Sequence, residues 1–429
     1  MKRKLLSLLL AGTMAAALLA GCSSDAGSGS SETATDETAA ENAAVYGDNG
    51  QVIIAVDTAS IVNEQEIDGT TYPSFDEDRQ MYGMMPEDTG VAYTVPNGVE
   101  GTYDVYINMK KPVMLWGSTP FYVTVNGEQR QVQPINMNAT LEYEDEDNMT
   151  DGVFCVAKQL TLAAGDEIDV MCEGGMMSVS TPYLGDMYLY ETGAEVAVGF
   201  GDGAAVPETI TGDASDALAD KTILWLGSSV TFGMNAEGYS MADYIEETHP
   251  GNVALKYTIS GTTLVEDGQK GGSYVKRLQE DIWEGYADDI DLVVVQLSTN
   301  DATLDKPLGT ISEYGTTDLD AFDVATITGA EEYIINYAMQ TYNCPVVFYT
   351  GSYYESDNYA AMVEGIKEVC TQYDLDLVNL WDDQEMIDIY GTDQWNEYMA
   401  SDGIHPLKKG YQEWWGPKFE QTLTDVFSR

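Results

Sequence analysis

From Lys221 to the C-terminus, short apolar runs alternate with stretches of helical periodicity, and that alternation confines this part of the chain to one architecture. The runs fall at 222–226, 253–257, 292–297, 346–349 and 377–380, and amphipathic segments lie near 240–248, 273–283, 330–342, 358–372 and 409–427. Strands apolar at every position, joined by helices, pack as a parallel sheet covered on both faces. Such sheets place their sites at the carboxyl ends of the strands.

Before this region the periodicity is two. Runs such as 52–56, 103–107, 121–125, 153–156 and 187–190 are β-branched and aromatic, and turn signals such as Asn126-Gly127 and Ala164-Gly165-Asp166 punctuate them. This pattern predicts an antiparallel all-β sandwich over 45–192. The phrases Gly101-Thr102-Tyr103-Asp104-Val105, Val125-Asn126-Gly127-Glu128 and Leu160-Thr161-Leu162-Ala163-Ala164-Gly165-Asp166 resemble galactose-binding-like jelly rolls, a class that includes many carbohydrate-binding modules. Trp116 and the tyrosines of this region are read as packing residues rather than sugar platforms. The acidic run from Glu142 to Asp147 is read as a solvated loop, and no metal is expected there.

The candidate chemistry stands where the strands of the second region end. The chain has two histidines, so it has few ways to move a proton near neutral pH. His249 lies in a polar Thr-His-Pro-Gly turn, whereas His405 follows Asp402 by three residues on a loop ahead of the last helix. From that position a carboxylate can hold Nδ1 and leave Nε2 as a general base. The first strand ends in Gly227-Ser228-Ser229-Val230-Thr231-Phe232-Gly233, a turn that exposes a serine hydroxyl beside a helix N-terminus. The second ends in Ser260-Gly261-Thr262-Thr263, where glycine lets backbone N–H approach a ligand. The third ends in Ser298-Thr299-Asn300-Asp301, which offers an amide donor or merely a helix cap.

These four blocks, in this order, resemble the SGNH (GDSL-like) hydrolases. The resemblance covers about residues 220–429 and implies a flavodoxin-like three-layer α/β domain working as a serine ester hydrolase. It implies Ser229 as nucleophile, His405 as base and Asp402 as its orienting partner, with the Ser229 and Gly261 N–H groups and the Asn300 amide as the oxyanion hole. Two positions depart from the family: Ser228 stands where Asp is usual, and Ser298 where Gly is usual. Both are expected to line the pocket, so substrate preference does not carry over. No cofactor is expected, and with two histidines and no Cys-x-x-Cys pair a zinc site is disfavoured.

The first 22 residues carry Lys2, Arg3 and Lys4, an apolar run from Leu5 to Ala20, and Leu19-Ala20-Gly21-Cys22. A basic start and a short apolar segment predict an export signal rather than a membrane span. The ending resembles a bacterial lipobox, which implies cleavage before Cys22, lipidation of its thiol and an extracytoplasmic, membrane-anchored protein. Residues 23–44 predict a flexible acidic tether, and 193–219, rich in Gly, Ala, Asp and Thr, an interdomain linker or strap. The formal net charge of −53 excludes nucleic acid and polyanionic glycans as partners and suits a neutral or cationic substrate. Export permits disulfides within each half, Cys155 with Cys172 and Cys344 with Cys370, or four buried thiols.

The function expected from these readings is removal of small acyl groups, acetyl foremost, from carbohydrate. Two alternatives stay open: a lipase, thioesterase or acyltransferase using the same residues, and a lipid-anchored glycan-binding protein with an inactive hydrolase domain. The polar and aromatic stretch 382–401 disfavours a long-chain lipase, which needs a large apolar lip.

Overall fold

In the computed structural model the alternating runs form one parallel sheet of Thr222–Gly227, Val253–Thr258, Leu292–Gln296, Val346–Tyr349 and Leu377–Val378. The described residues are 42–429 apart from 84, 111–116, 119–120, 136–150, 174–181, 195, 197–215 and 269–271. Numbered along the chain, the strands lie in the order 2-1-3-4-5, that of a flavodoxin-like sheet, and every pairing is parallel. Successive residues supply opposite faces, which is why the strands are apolar throughout. Leu224, Leu226, Val293 and Val295 join one core beneath the helices Tyr274–Glu280, Ile327–Thr341 and Asp357–Tyr373. Ile223, Trp225, Leu292 and Val294 join the other, beneath Met241–Thr248 and Gly416–Phe427.

Side-chain caps set where these helices begin. Ser240 and Asp243 form a capping box, Ser273 accepts from Lys276 N, and Thr326 accepts from Gly329 N. The Thr326 cap starts its helix at Ile327, three residues ahead of the apolar pattern. The helix expected over 273–283 stops at Glu280, and Glu284–Tyr286 follows as a separate 3-10 turn. The last helical segment is interrupted by a π turn at Tyr411–Trp415. That turn carries two buried anchors: Tyr411 Oη donates to Val230 O at 2.6 Å, and Trp415 Nε1 donates to Ser352 Oγ at 3.0 Å.

The preceding region is rich in β-sheet. One antiparallel sheet contains Val45–Tyr46, Val52–Ile54, Ser74–Asp76, Met81–Gly83, Glu100–Lys110, Asp151–Ala163 and Tyr183–Glu191. A second contains Ser60–Val62, Gly90–Thr94, Phe121–Val125, Glu128–Gln131 and Glu167–Cys172. Inward residues of both, such as Val105, Ile107, Val123 and Val170, share one core. Asn126 and Gly127 both take positive φ, 51° and 76°, as a tight hairpin turn between right-twisted strands requires. The Ala164-Gly165 turn instead carries the chain from one sheet to the other.

Residues 42–429 form one unit. The last residues of the stretch read as a linker are packed within it: Leu218 is buried, and Asn252 Nδ2 donates to its carbonyl at 2.9 Å. No disulfide joins Cys155, Cys172, Cys344 or Cys370, and all but the partly exposed Cys155 are buried. Burial pushes Cys155, Cys344 and Cys370 up to about 12, so they are inert. The signal and Cys22, the tether as far as residue 41, Trp116 and the acidic run 142–147 lie outside the described residues. Among the described residues no helix is long and apolar enough to cross a membrane, and no group of three or more His, Cys, Asp or Glu is placed to hold a metal.

Candidate active site

Ser229 opens the short helix Ser229–Phe232 at the carboxyl end of the first strand. The turn before it is tight: a Cβ on Gly227 would lie 1.7 Å from Thr231 Oγ1. The side chain of Gln296, at the end of the third strand, clamps this turn. Its Oε1 accepts from Ser228 N at 2.9 Å, Thr231 Oγ1 at 2.7 Å and Thr231 N at 3.4 Å. Tyr349 Oη and Thr231 Oγ1 are 2.7 Å apart, and Tyr411 holds Val230 O from the other side.

His405 reaches Ser229 from the loop before the last helix. Its Nε2 is 2.8 Å from Ser229 Oγ, and its Nδ1 is 2.8 Å from Asp402 Oδ2. The other oxygen, Asp402 Oδ1, accepts from Ile404 N at 2.9 Å and His405 N at 3.0 Å, so the carboxylate also builds the loop that presents the ring. Burial pushes the Asp402 carboxyl up, but the hydrogen bonds from His405 and Ile404 outweigh it and bring the group down to about 2. An ionised carboxylate only accepts, so Nδ1 carries the imidazole proton and Nε2 is left to accept from the Ser229 hydroxyl. Ser229 is 6 % exposed.

The other two blocks meet each other. Asn300, in the helix Thr299–Thr303, donates from Nδ2 to Thr262 O at 2.8 Å. Gly261, with φ 82°, forms the turn just before that carbonyl. Asp301 accepts from Leu264 N at 2.8 Å and Val265 N at 3.2 Å, pinning the far side of the same loop. Arg277, 1 % exposed, spans the first and second blocks, with Nη2 donating to Gly227 O at 2.8 Å and Nη1 to Thr262 Oγ1 at 3.1 Å.

Two expectations change. Ser228 and Ser298 do not line an open pocket, because both are fully buried. Ser228 is held by Gln296, and Ser298 caps the helix that carries Asn300. His249, in its polar turn, is buried, and its Nδ1 lies 2.9 Å from Asp216 Oδ2. Gln296 and Arg277 were not singled out by the motifs. A lone polar residue ending the otherwise apolar strand 292–296 is the signal that identifies Gln296.

This geometry can pass the proton of a serine hydroxyl to an imidazole whose tautomer is fixed by a carboxylate. Residues 225–413, slightly under half of the chain, match the GDSL-like Lipase/Acylhydrolase family. No curated protein matches the chain. Among solved structures, a protein from Lactobacillus plantarum is 21% identical, over 49% of this chain and 97% of its own, with a TM-score of 0.37. A family two carbohydrate esterase from Cellvibrio japonicus is 12% identical, over 88% of this chain and 99% of its own, with a TM-score of 0.36. A carbohydrate esterase family 2 enzyme plus carbohydrate binding domain from Corynascus thermopiles is 11% identical, over 86% of this chain and 100% of its own, with a TM-score of 0.35. Residues 225–413 thus form a distant domain of the GDSL-like lipase and acylhydrolase family, whose members generally hydrolyse esters.

Proposed function

We propose that the protein is a serine esterase that removes small acyl groups, acetyl foremost, from carbohydrate, and that it works outside the cytoplasmic membrane on a lipid anchor at Cys22. The observation that carries the chemistry is the continuous contact from Asp402 Oδ2 through the His405 ring to Ser229 Oγ, with both links at 2.8 Å. His405 Nε2 takes the hydroxyl proton as Ser229 Oγ attacks the ester carbonyl. The tetrahedral oxyanion is received by the N–H groups of Ser229 and Gly261 and by the Asn300 amide. One N–H of that amide is fixed by Thr262 O, which sets the plane of the group, and the second is assigned to the oxyanion. His405 then protonates the departing alcohol, and water repeats the cycle on the acyl-enzyme.

The carbohydrate half of the proposal rests on the β-sheet-rich region, read as a galactose-binding-like jelly roll, and on the charge. A net charge of −53 repels anionic substrates and tolerates a neutral acetylated sugar. Export and anchoring rest on the residues before Ser23.

Hydrolysis of p-nitrophenyl acetate and butyrate by the protein, beside Ser229→Ala and Asn300→Ala, tests the chemistry. Turnover of acetate ahead of butyrate, abolished in Ser229→Ala, is expected. Asn300→Ala is expected to lower kcat by about 10²–10³. Equal rates for wild type and Ser229→Ala would remove the nucleophile and the proposal with it. Acetate release from acetylated neutral glycans then tests the substrate class, and lipid labelling at Cys22, lost in Cys22→Ala, tests the anchor.

A further inference from the structure

We infer that the β-sheet-rich region is part of the positioning apparatus of the esterase site, and that Ser118 is the residue through which it acts. The inference rests on the esterase reading above and adds a residue far outside the hydrolase blocks.

The second parallel strand, Val253–Thr258, is an edge of its sheet, yet its carboxyl end is not left open. Gly117 forms an antiparallel bridge with Ile259, and Ser118 N donates to Thr258 O at 3.0 Å. The Ser118 hydroxyl, itself 1 % exposed, donates to Lys256 O and lies 2.6 Å from Thr258 Oγ1. Ser118 O in turn accepts from Ile135 N at 2.6 Å. Thr258 stands three residues before Gly261 and pairs directly with Gly227 on the first strand. A line of contacts therefore runs from Ser118 across Thr258 to the residue two before Ser229, and along the chain to the glycine assigned to the oxyanion hole.

A second path reaches the nucleophile helix from behind. Lys256, buried with Asp243 as its ionic partner at 2.6 Å, donates from Nζ to Phe232 O at 3.1 Å and Gly238 O at 2.9 Å. Phe232, three residues after Ser229, is buried in the core shared by the two antiparallel sheets and not in either core of the parallel sheet. The helix that begins with the nucleophile thus ends with its aromatic side chain inside the other region. The hydroxyl of Ser118 and the ring of Phe232 hold the second strand and the nucleophile turn to one frame. A displacement of about 1 Å between reacting groups is enough to cost about 10² in rate, so a frame of this kind acts on the chemical step.

The test uses the full chain and p-nitrophenyl acetate, with kcat, KM and melting temperature read for each variant. Ser118→Ala and Thr258→Val break the same contact from its two sides. Each is expected to lower kcat by about tenfold with KM within about twofold, and the double variant to be no worse than Ser118→Ala alone. Ser118→Thr restores the hydroxyl and should recover most of the loss. Arg130→Gln is the control for a loosened boundary. It removes ion pairs to Glu173 at 2.7 Å and Asp281 at 3.0 Å, and it should lower the melting temperature while leaving kcat unchanged. An unchanged kcat in both Ser118→Ala and Thr258→Val would overturn the inference, as would an equal loss in Arg130→Gln. A wild type that turns over no ester would instead overturn the esterase reading, and this inference would fall with it.

Discussion

At the scale of single residues, the site is a matter of which proton sits where. Asp402 holds its partner ring and its own loop with the same carboxylate, and its depressed pKa makes that arrangement a contribution to stability. The group is ionised above about 3.9 in the unfolded chain and down to about 2 in the folded one. Its contribution is therefore fully present above the unfolded value and is lost as pH falls through the folded one. Urea midpoints of wild type and Asp402→Asn should differ by a constant amount above about pH 5 and converge toward about pH 2. A difference that does not shrink on the acid side would contradict the depressed pKa. Glu331 has the opposite sign. Burial raises it well above the usual carboxyl range, Asp301 and Glu332 add to the effect, and neither of its oxygens has a hydrogen-bond partner among the described residues. The folded chain then keeps a proton that the unfolded chain gives up above about 4.3, so this acid erodes stability as pH rises. Glu331→Gln should gain on wild type as pH rises above about 4.3, and parallel stability curves would exclude it.

Among the elements, the strand ends do most of the organising. Gln296 closes an apolar strand with one amide oxygen, and that oxygen gathers the two N–H groups and two hydroxyls that fix the nucleophile turn. Gln296→Leu keeps the size, discards those bonds and leaves the donors buried, so it is expected to cost about 1–3 kcal/mol for each stranded donor. Denaturant unfolding beside kcat should show loss in both; loss in neither would mean that the turn holds itself. This is also where the limits of legibility lie. The five parallel runs were readable because both faces of the sheet are buried, and the Asp402–His405 loop because three residues of spacing suffice to close it. Ser228 and Ser298 were misplaced because a motif states neighbours in sequence and not which way a side chain turns. The destination of Phe232 was not readable at all. An apolar residue at the end of a four-residue helix says that it will be buried, but the core it enters is built from another region, whose strands run from Val52 to Glu191.

For the molecule as a whole, those shared contacts decide what unfolds together. Tyr257 Oη donates to Val132 O at 3.0 Å, Val132 sits in a core of the parallel sheet, and Phe232 sits in the core of the antiparallel sheets. Calorimetry should therefore show one cooperative transition for residues 42–429, and two resolved peaks would contradict this coupling. The fold also governs how the protein behaves beside copies of itself. An open strand edge is a template on which another chain can add a strand. Here one edge of the parallel sheet is met at its carboxyl end by Gly117 and Ser118, and the strand at the other edge, Leu377–Val378, is two residues long. Little length of the parallel sheet's edges is therefore left for another chain to add a strand.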